Sequence, residues 1–121
     1  MTITQLVDDY REISTFLQEK WPLKDSQQRV FARVMKIVEE LGEFSDEILT
    51  SMNLQRNSKI AKFSEQNVED EFADVLGSLI LLGIELNIDV EAVIKRKIAF
   101  TRERFEMDAE KNDIEEEKRP N

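Results

Sequence analysis

The chain has 121 residues, 26 of them acidic against 17 basic, for a net charge of -9. That length holds one domain with a single modest core, and that charge argues against a nucleic-acid or anionic-membrane partner, though not against a nucleotide carried with a divalent cation. With no cysteine and no histidine, the chain excludes disulfides, thiolate metal sites, zinc-hydrolase and Ser-His-Asp chemistry, and the Glu-x-x-His sites of di-iron bundles.

Three Gly and two Pro beside 36% charged residues predict long helices and few turns. The first helix is expected over Ile3 to Lys20, opened by a Thr2/Gln5 capping box and closed by Trp21-Pro22. Trp21 reads first as a staple over the core. Asp25 or Ser26 caps a second helix reaching Leu49, with an apolar seam of Val30, Val34, Ile37, Leu41, Phe44 and Ile48. Residues 50–64 are polar and aperiodic and read as a mobile loop. A third helix spans Glu65 to Leu86, with a seam of Phe72, Leu76, Leu79, Ile80 and Gly83, and Asn87 ends it. Asp89 caps a fourth helix from Val90 to Met107. Residues 1–107 thus form the domain, and 108–121 an acidic tail expected to be disordered. The fold class is all-α, a four-helix bundle. Met1 to Asp9 shows no signal-peptide pattern and Leu79 to Ile84 is too short to cross a bilayer, so a cytoplasmic protein without a membrane partner is expected.

Two acidic motifs stand out. Glu40 with Glu43 on the second helix, and Glu71 with Asp74 on the third, are carboxylate pairs at i, i+3, each on one side of its helix. Like charges stacked this way repel, and two packed helices would bring four carboxylates together around a cation. Oxygen-only ligands suit Mg²⁺ or Mn²⁺. Either motif alone is an ordinary solvated face in so acidic a chain. Their conjunction is what points to a site, together with a cationic face on the fourth helix that holds Lys97 and Arg104 with Thr101 between them. Such a face could hold a polyanion against a metal.

The third helix is apolar almost all round between Val75 and Leu86. A small monomer rarely buries such a helix completely, so a second subunit is expected to cover Leu81, Leu82 and Leu86.

The stretches VEELGEFSDEI and EDEFADVLGSLILLGIELNID, with 27 residues (Phe44 to Asp70) between their EExxE and ExxD motifs, resemble the MazG-like all-α nucleotide pyrophosphohydrolases, whose signature is EExxE followed by ExxD. The resemblance covers about residues 24 to 105 and includes a Lys and an Arg on the following helix, with Thr101 where Asn is usual. It implies that Glu40, Glu43, Glu71 and Asp74 bind Mg²⁺. Glu39 would be a neighbouring catalytic acid, either a ligand to a further metal or an orienter of water, and Lys97 and Arg104 would hold phosphates. It further implies hydrolysis of a nucleoside triphosphate to monophosphate and pyrophosphate by a dimer or dimer of dimers, with house-cleaning of non-canonical nucleotides as one role. Trp21, Phe16 and the loop after the second helix are candidate walls for a base. Two rival readings are a non-catalytic helical dimerisation or partner-binding protein and a nucleotide-sensing pseudoenzyme.

Overall fold

A computed structural model describes the backbone of residues 1–118 and the side chains of residues 1–106 and 116–118. The fold is all-α, with no strand among the described residues. Five helices follow in order: α1 (Ile3–Lys20), α2 (Ser26–Ser51), α3 (Asn57–Ile60), α4 (Glu65–Glu85) and α5 (Val90–Glu117). They form two compact units, residues 1–88 with α1 to α4, and residues 89–121 with α5.

Helix ends follow local chemistry. The Thr2/Gln5 capping box opens α1 in both directions, Gln5 N–H to Thr2 Oγ1 at 3.1 Å and Thr2 N–H to Gln5 Oε1 at 2.8 Å. Asp25 rather than Ser26 caps α2, accepting from Gln28 N–H at 2.8 Å. Ser64 caps α4 and Asp89 caps α5. Both α2 and α4 close with an Asn in the left-handed region, Asn53 at φ 57° and Asn87 at φ 54°. At each, the next amide reaches back five residues, Leu54 to Leu49 at 2.8 Å and Ile88 to Gly83 at 2.9 Å, which satisfies carbonyls the helix end leaves open.

Three expectations are corrected. The segment expected as a loop over residues 50–64 contains the one-turn helix α3 and is fastened to α2 by Asp46. That carboxylate accepts from Gln55 Nε2 at 2.9 Å and from Lys59 Nζ at 3.0 Å. The last helix does not end at Met107 but continues to Glu117. Residues 108–117 contain neither Gly nor Pro and four of the ten are Glu, so no local breaker stops propagation. The compact units divide after Ile88; the last three residues of the expected disordered tail, 119–121, lie outside the described residues.

The third correction concerns which helix faces meet. In the first unit α2 packs along α4, and α1 lies across α4. The predicted seams are inner faces only in part: Ile80 and Gly83 are buried and Val30, Ile37, Phe44 and Ile48 half-buried, whereas Val34, Leu41, Phe72, Leu76 and Leu79 are exposed. The side of α2 turned to α4 also carries ionisable groups. Arg29 and Arg33 meet Glu85 of α4 at 3.3 and 4.0 Å, and Glu40 meets Glu71. Gly77 and Ser78 of α4 are buried, Gly77 against the Tyr10 ring of α1. Leu81, expected on an outer face, is buried with Ile80 and Val7. Buried hydroxyls are satisfied within their own helices, Thr50 on the Asp46 carbonyl and Ser78 on the Asp74 carbonyl, both at 2.8 Å. Leu82 is half-buried and Leu86 exposed.

Candidate metal centre

One oxygen each from Glu40, Glu43 and Glu71 lie within 4.8 Å of one another. Helix α2 contributes two of them at i, i+3, and α4 contributes the third across the packed interface. Glu40 is buried, Glu71 half-buried and Glu43 exposed, so the set runs from the interior to the surface. Among the described residues, one cation is paired with it. Lys36 Nζ lies 3.1 Å from Glu40 Oε1 and 3.2 Å from Glu39 Oε1. These two hydrogen bonds raise the Lys36 pKa against the opposing effect of burial.

The remaining charge is not neutralised. The negative charge of Glu40, followed by desolvation, raises the Glu43 carboxyl above its ordinary value. Glu71 is raised chiefly by burial, then by the charges of Glu43, Asp74, Glu40 and Glu47. Three carboxylate oxygens, Glu40 Oε2, Glu47 Oε2 and Glu71 Oε2, are buried without a hydrogen-bond partner. A buried unsatisfied acceptor costs about 1–3 kcal/mol, and more when charged. Proteins leave such groups open where something else binds.

A divalent cation fits these donors. All are hard carboxylate oxygens, and the chain has neither the histidine nor the cysteine that zinc sites favour. Two oxygens bound to one Mg²⁺ at about 2.1 Å can be at most about 4.2 Å apart. The three oxygens, all within 4.8 Å of one another, are close to that span.

Of the residues singled out in the sequence, Glu40, Glu43 and Glu71 are thus brought together. Asp74 is exposed and outside the triad, one turn along α4, where its charge still acts on Glu71. Glu39 is exposed and held by Lys36 at the flank. Trp21 is 63% exposed, so it is no staple over the core. With Leu17, Leu23, Ala32 and Leu81 it forms the apolar wall of a cleft of about 350 Å³ whose other side is Arg29, Arg33 and Lys36. Lys97, Thr101 and Arg104 belong to the second unit. There Thr101 Oγ1 donates to the Lys97 carbonyl at 2.8 Å, and Lys97 Nζ stands 5.1 Å from the centre of the Phe100 ring.

Sequence reasoning missed Glu47. It lies four residues beyond Glu43 and seven beyond Glu40, so its helical spacing placed it on the same face. Glu43, Glu47 and Glu71 line a second cavity of about 340 Å³, with Asp46, Thr50, Asn67, Lys59 and Lys62.

The chain matches the MazG-like family over residues 31–119, and it belongs to that family. No curated protein and no solved structure matches it. No described helix is long and apolar enough to cross a membrane.

Proposed function

We propose that this protein is a divalent-cation-dependent nucleoside triphosphate pyrophosphohydrolase that releases the monophosphate and pyrophosphate. The observation that carries the reading is the convergence of Glu40, Glu43 and Glu71 with buried, unpartnered oxygens in a chain of the MazG-like family. These three residues would hold Mg²⁺ or Mn²⁺, and Asp74 joins them by a side-chain rotation. Bound there, the cation supplies charge neutralisation for phosphate oxygens and activation of water, which the chain must obtain without histidine. Glu39 and Glu47 flank the ligand set and are the carboxylates left to accept the proton of the attacking water. The Trp21 cleft takes the nucleoside. Lys97 and Arg104, with Thr101 between them, form the phosphate-holding face of α5.

The working form in this proposal is a cytoplasmic homodimer or dimer of dimers. Along α2, Phe31, Val34, Val38 and Leu41 form an exposed stripe, and Phe72, Leu76, Leu79 and Leu86 form another along α4. The stripes meet where the Phe44 and Phe72 rings pack edge to face at 6.1 Å. A soluble chain seldom leaves so much apolar surface uncovered. The same stripes favour the second reading, a non-catalytic dimerisation module.

Incubating the protein with a panel of normal and non-canonical nucleoside triphosphates and Mg²⁺ tests the proposal. Stoichiometric pyrophosphate with no orthophosphate is the expected result. Absence of turnover combined with nucleotide-dependent thermal stabilisation would instead indicate a sensing pseudoenzyme, and absence of both a bare scaffold.

A further inference from the structure

Along α2, Arg29, Arg33, Lys36, Glu40, Glu43, Glu47 and Thr50 recur at alternating steps of four and three residues, one continuous stripe of three cations followed by three acids. The cationic half lines the Trp21 cleft. Glu43, Glu47 and Thr50 line the second cavity. Glu40 stands between the halves, bonded to Lys36 on one side and grouped with Glu43 and Glu71 on the other.

The two cavities differ in kind. The first offers an indole and aliphatic walls. The second has only polar and charged lining, contributed by α2, α4 and the connection between them. Of the cations lining either cavity, Arg29 and Arg33 are engaged by Glu85, Lys36 by Glu39 and Glu40, and Lys59 by Asp46. Lys62 alone among them has no carboxylate partner among the described residues, although Glu43, Asp46, Glu47 and Glu71 line the same cavity.

We propose that Lys62, with Lys59 beside it, binds the pyrophosphate end of the substrate. This rests on the hydrolase reading above and gives the substrate a direction along α2. The nucleoside lies against Trp21, and the polyphosphate passes Lys36 and the carboxylates to end at Lys59 and Lys62. Four acids would repel a polyphosphate tail in the second cavity, and two flexible ammonium groups at its rim offset that repulsion. Apolar walls occur only in the Trp21 cleft, whose cations Arg29, Arg33 and Lys36 are already engaged by Glu85, Glu39 and Glu40, so the reverse orientation would put a base against carboxylates and phosphates beside an indole and paired cations.

The test is calorimetric titration of inorganic pyrophosphate, and separately of a nucleoside monophosphate, into the protein with Mg²⁺. Wild type is compared with Lys62→Ala, Lys59→Ala/Lys62→Ala, Lys62→Arg and the remote control Lys95→Ala. The expected result is pyrophosphate affinity lowered about tenfold by Lys62→Ala, further by the double variant, and restored largely by Lys62→Arg. Monophosphate affinity should hold in every variant and melting temperature in Lys62→Ala, with only the double variant losing the Lys59–Asp46 contact, and pyrophosphate product inhibition should weaken in parallel. Unchanged pyrophosphate affinity in the double variant, or an equal loss of monophosphate affinity, overturns the assignment. If wild type hydrolyses a nucleotide while the double variant binds pyrophosphate normally, only this inference fails. If wild type turns over nothing while pyrophosphate binding still depends on Lys62, the hydrolase reading fails and the phosphate site stands.

Discussion

The ring of Tyr10 on α1 lies across the backbone of Gly77 on α4, so close that a Cβ added at Gly77 would sit 2.7 Å from Tyr10 Cζ. This contact seats α1 on the helix that carries Glu71. Gly77→Ala gains about 1 kcal/mol of helix propensity but forces the ring outward, at about 1–3 kcal/mol of overpacking. The expected net is a modest destabilisation that shrinks in a Tyr10→Phe background, because the phenol oxygen is the nearest obstacle. Chemical denaturation of the four proteins of that double-mutant cycle measures it. Additive effects would show that the ring moves freely.

Substituting Glu43 or Glu71 by glutamine should leave metal-free stability level or raised, since each removes one of several mutually repelling carboxylates. Thermal stabilisation by Mg²⁺ should be lost in both variants, and turnover with it. Glu40→Gln should behave differently, because Glu40 is buried and bonded to Lys36, so metal-free stability should fall. Melts in EDTA and in Mg²⁺ separate the three; identical behaviour would dissolve the distinction between inner and outer ligands.

The pH response has a definite sign. The pKa values of Glu43 and Glu71 are raised in the folded protein, so the native state binds protons more tightly than the unfolded chain. Their contribution to metal-free stability is fully present below the ordinary carboxylate value of 4.5 and is lost as pH rises through the folded values. Metal binding needs both groups ionised, so stabilisation by Mg²⁺ should grow over that interval as pH rises. Differential scanning at fixed ionic strength should show the two opposing slopes, and the Glu43→Gln/Glu71→Gln protein should flatten both.

Light scattering at low micromolar concentration should give at least twice the 14.2 kDa chain mass. Leu79→Glu or Leu41→Glu, each placing a charge in an exposed apolar stripe, should lower the mass toward that of one chain without unfolding the first unit. A fully active wild-type monomer would remove the case for an obligate dimer.

On α5, Lys97→Ala and Arg104→Ala should raise KM for the nucleotide, whereas Arg96→Ala and Arg102→Ala, on other faces of the helix, should have little effect. Steady-state kinetics on the four variants decides whether the cationic face has a phosphate role. Equal behaviour across them would leave it as solvated charge.

Local signals carried most of the helix boundaries. Thr2 with Gln5, Asp89 and Asn87 are short-range hydrogen-bonding or left-handed positions whose meaning does not depend on distant packing. Asn53 does the same work as Asn87, but the polar segment after it masked the signal. Seam assignment failed in part, for a different reason. Period and hydropathy identify an apolar face, not what covers it, and here Val34, Leu41 and Leu79 face outward while a charged stripe faces in. The acid pairs were legible because their spacing defines a helix side, yet that spacing could not show that Asp74 stays outside the triad or that Glu47 has a buried oxygen.

The charged stripe of α2 also has a torsional consequence. Its repeat averages 3.5 residues per turn, against 3.6 for a straight helix, a drift of about 20° per heptad. Over the three heptads from Arg29 to Thr50 its ends therefore point about 60° apart. A ligand reaching both cavities must curl around the helix as it goes. Rotatable phosphoanhydride links accommodate that curvature, whereas a rigid planar polyanion of the same charge and length cannot occupy both ends at once.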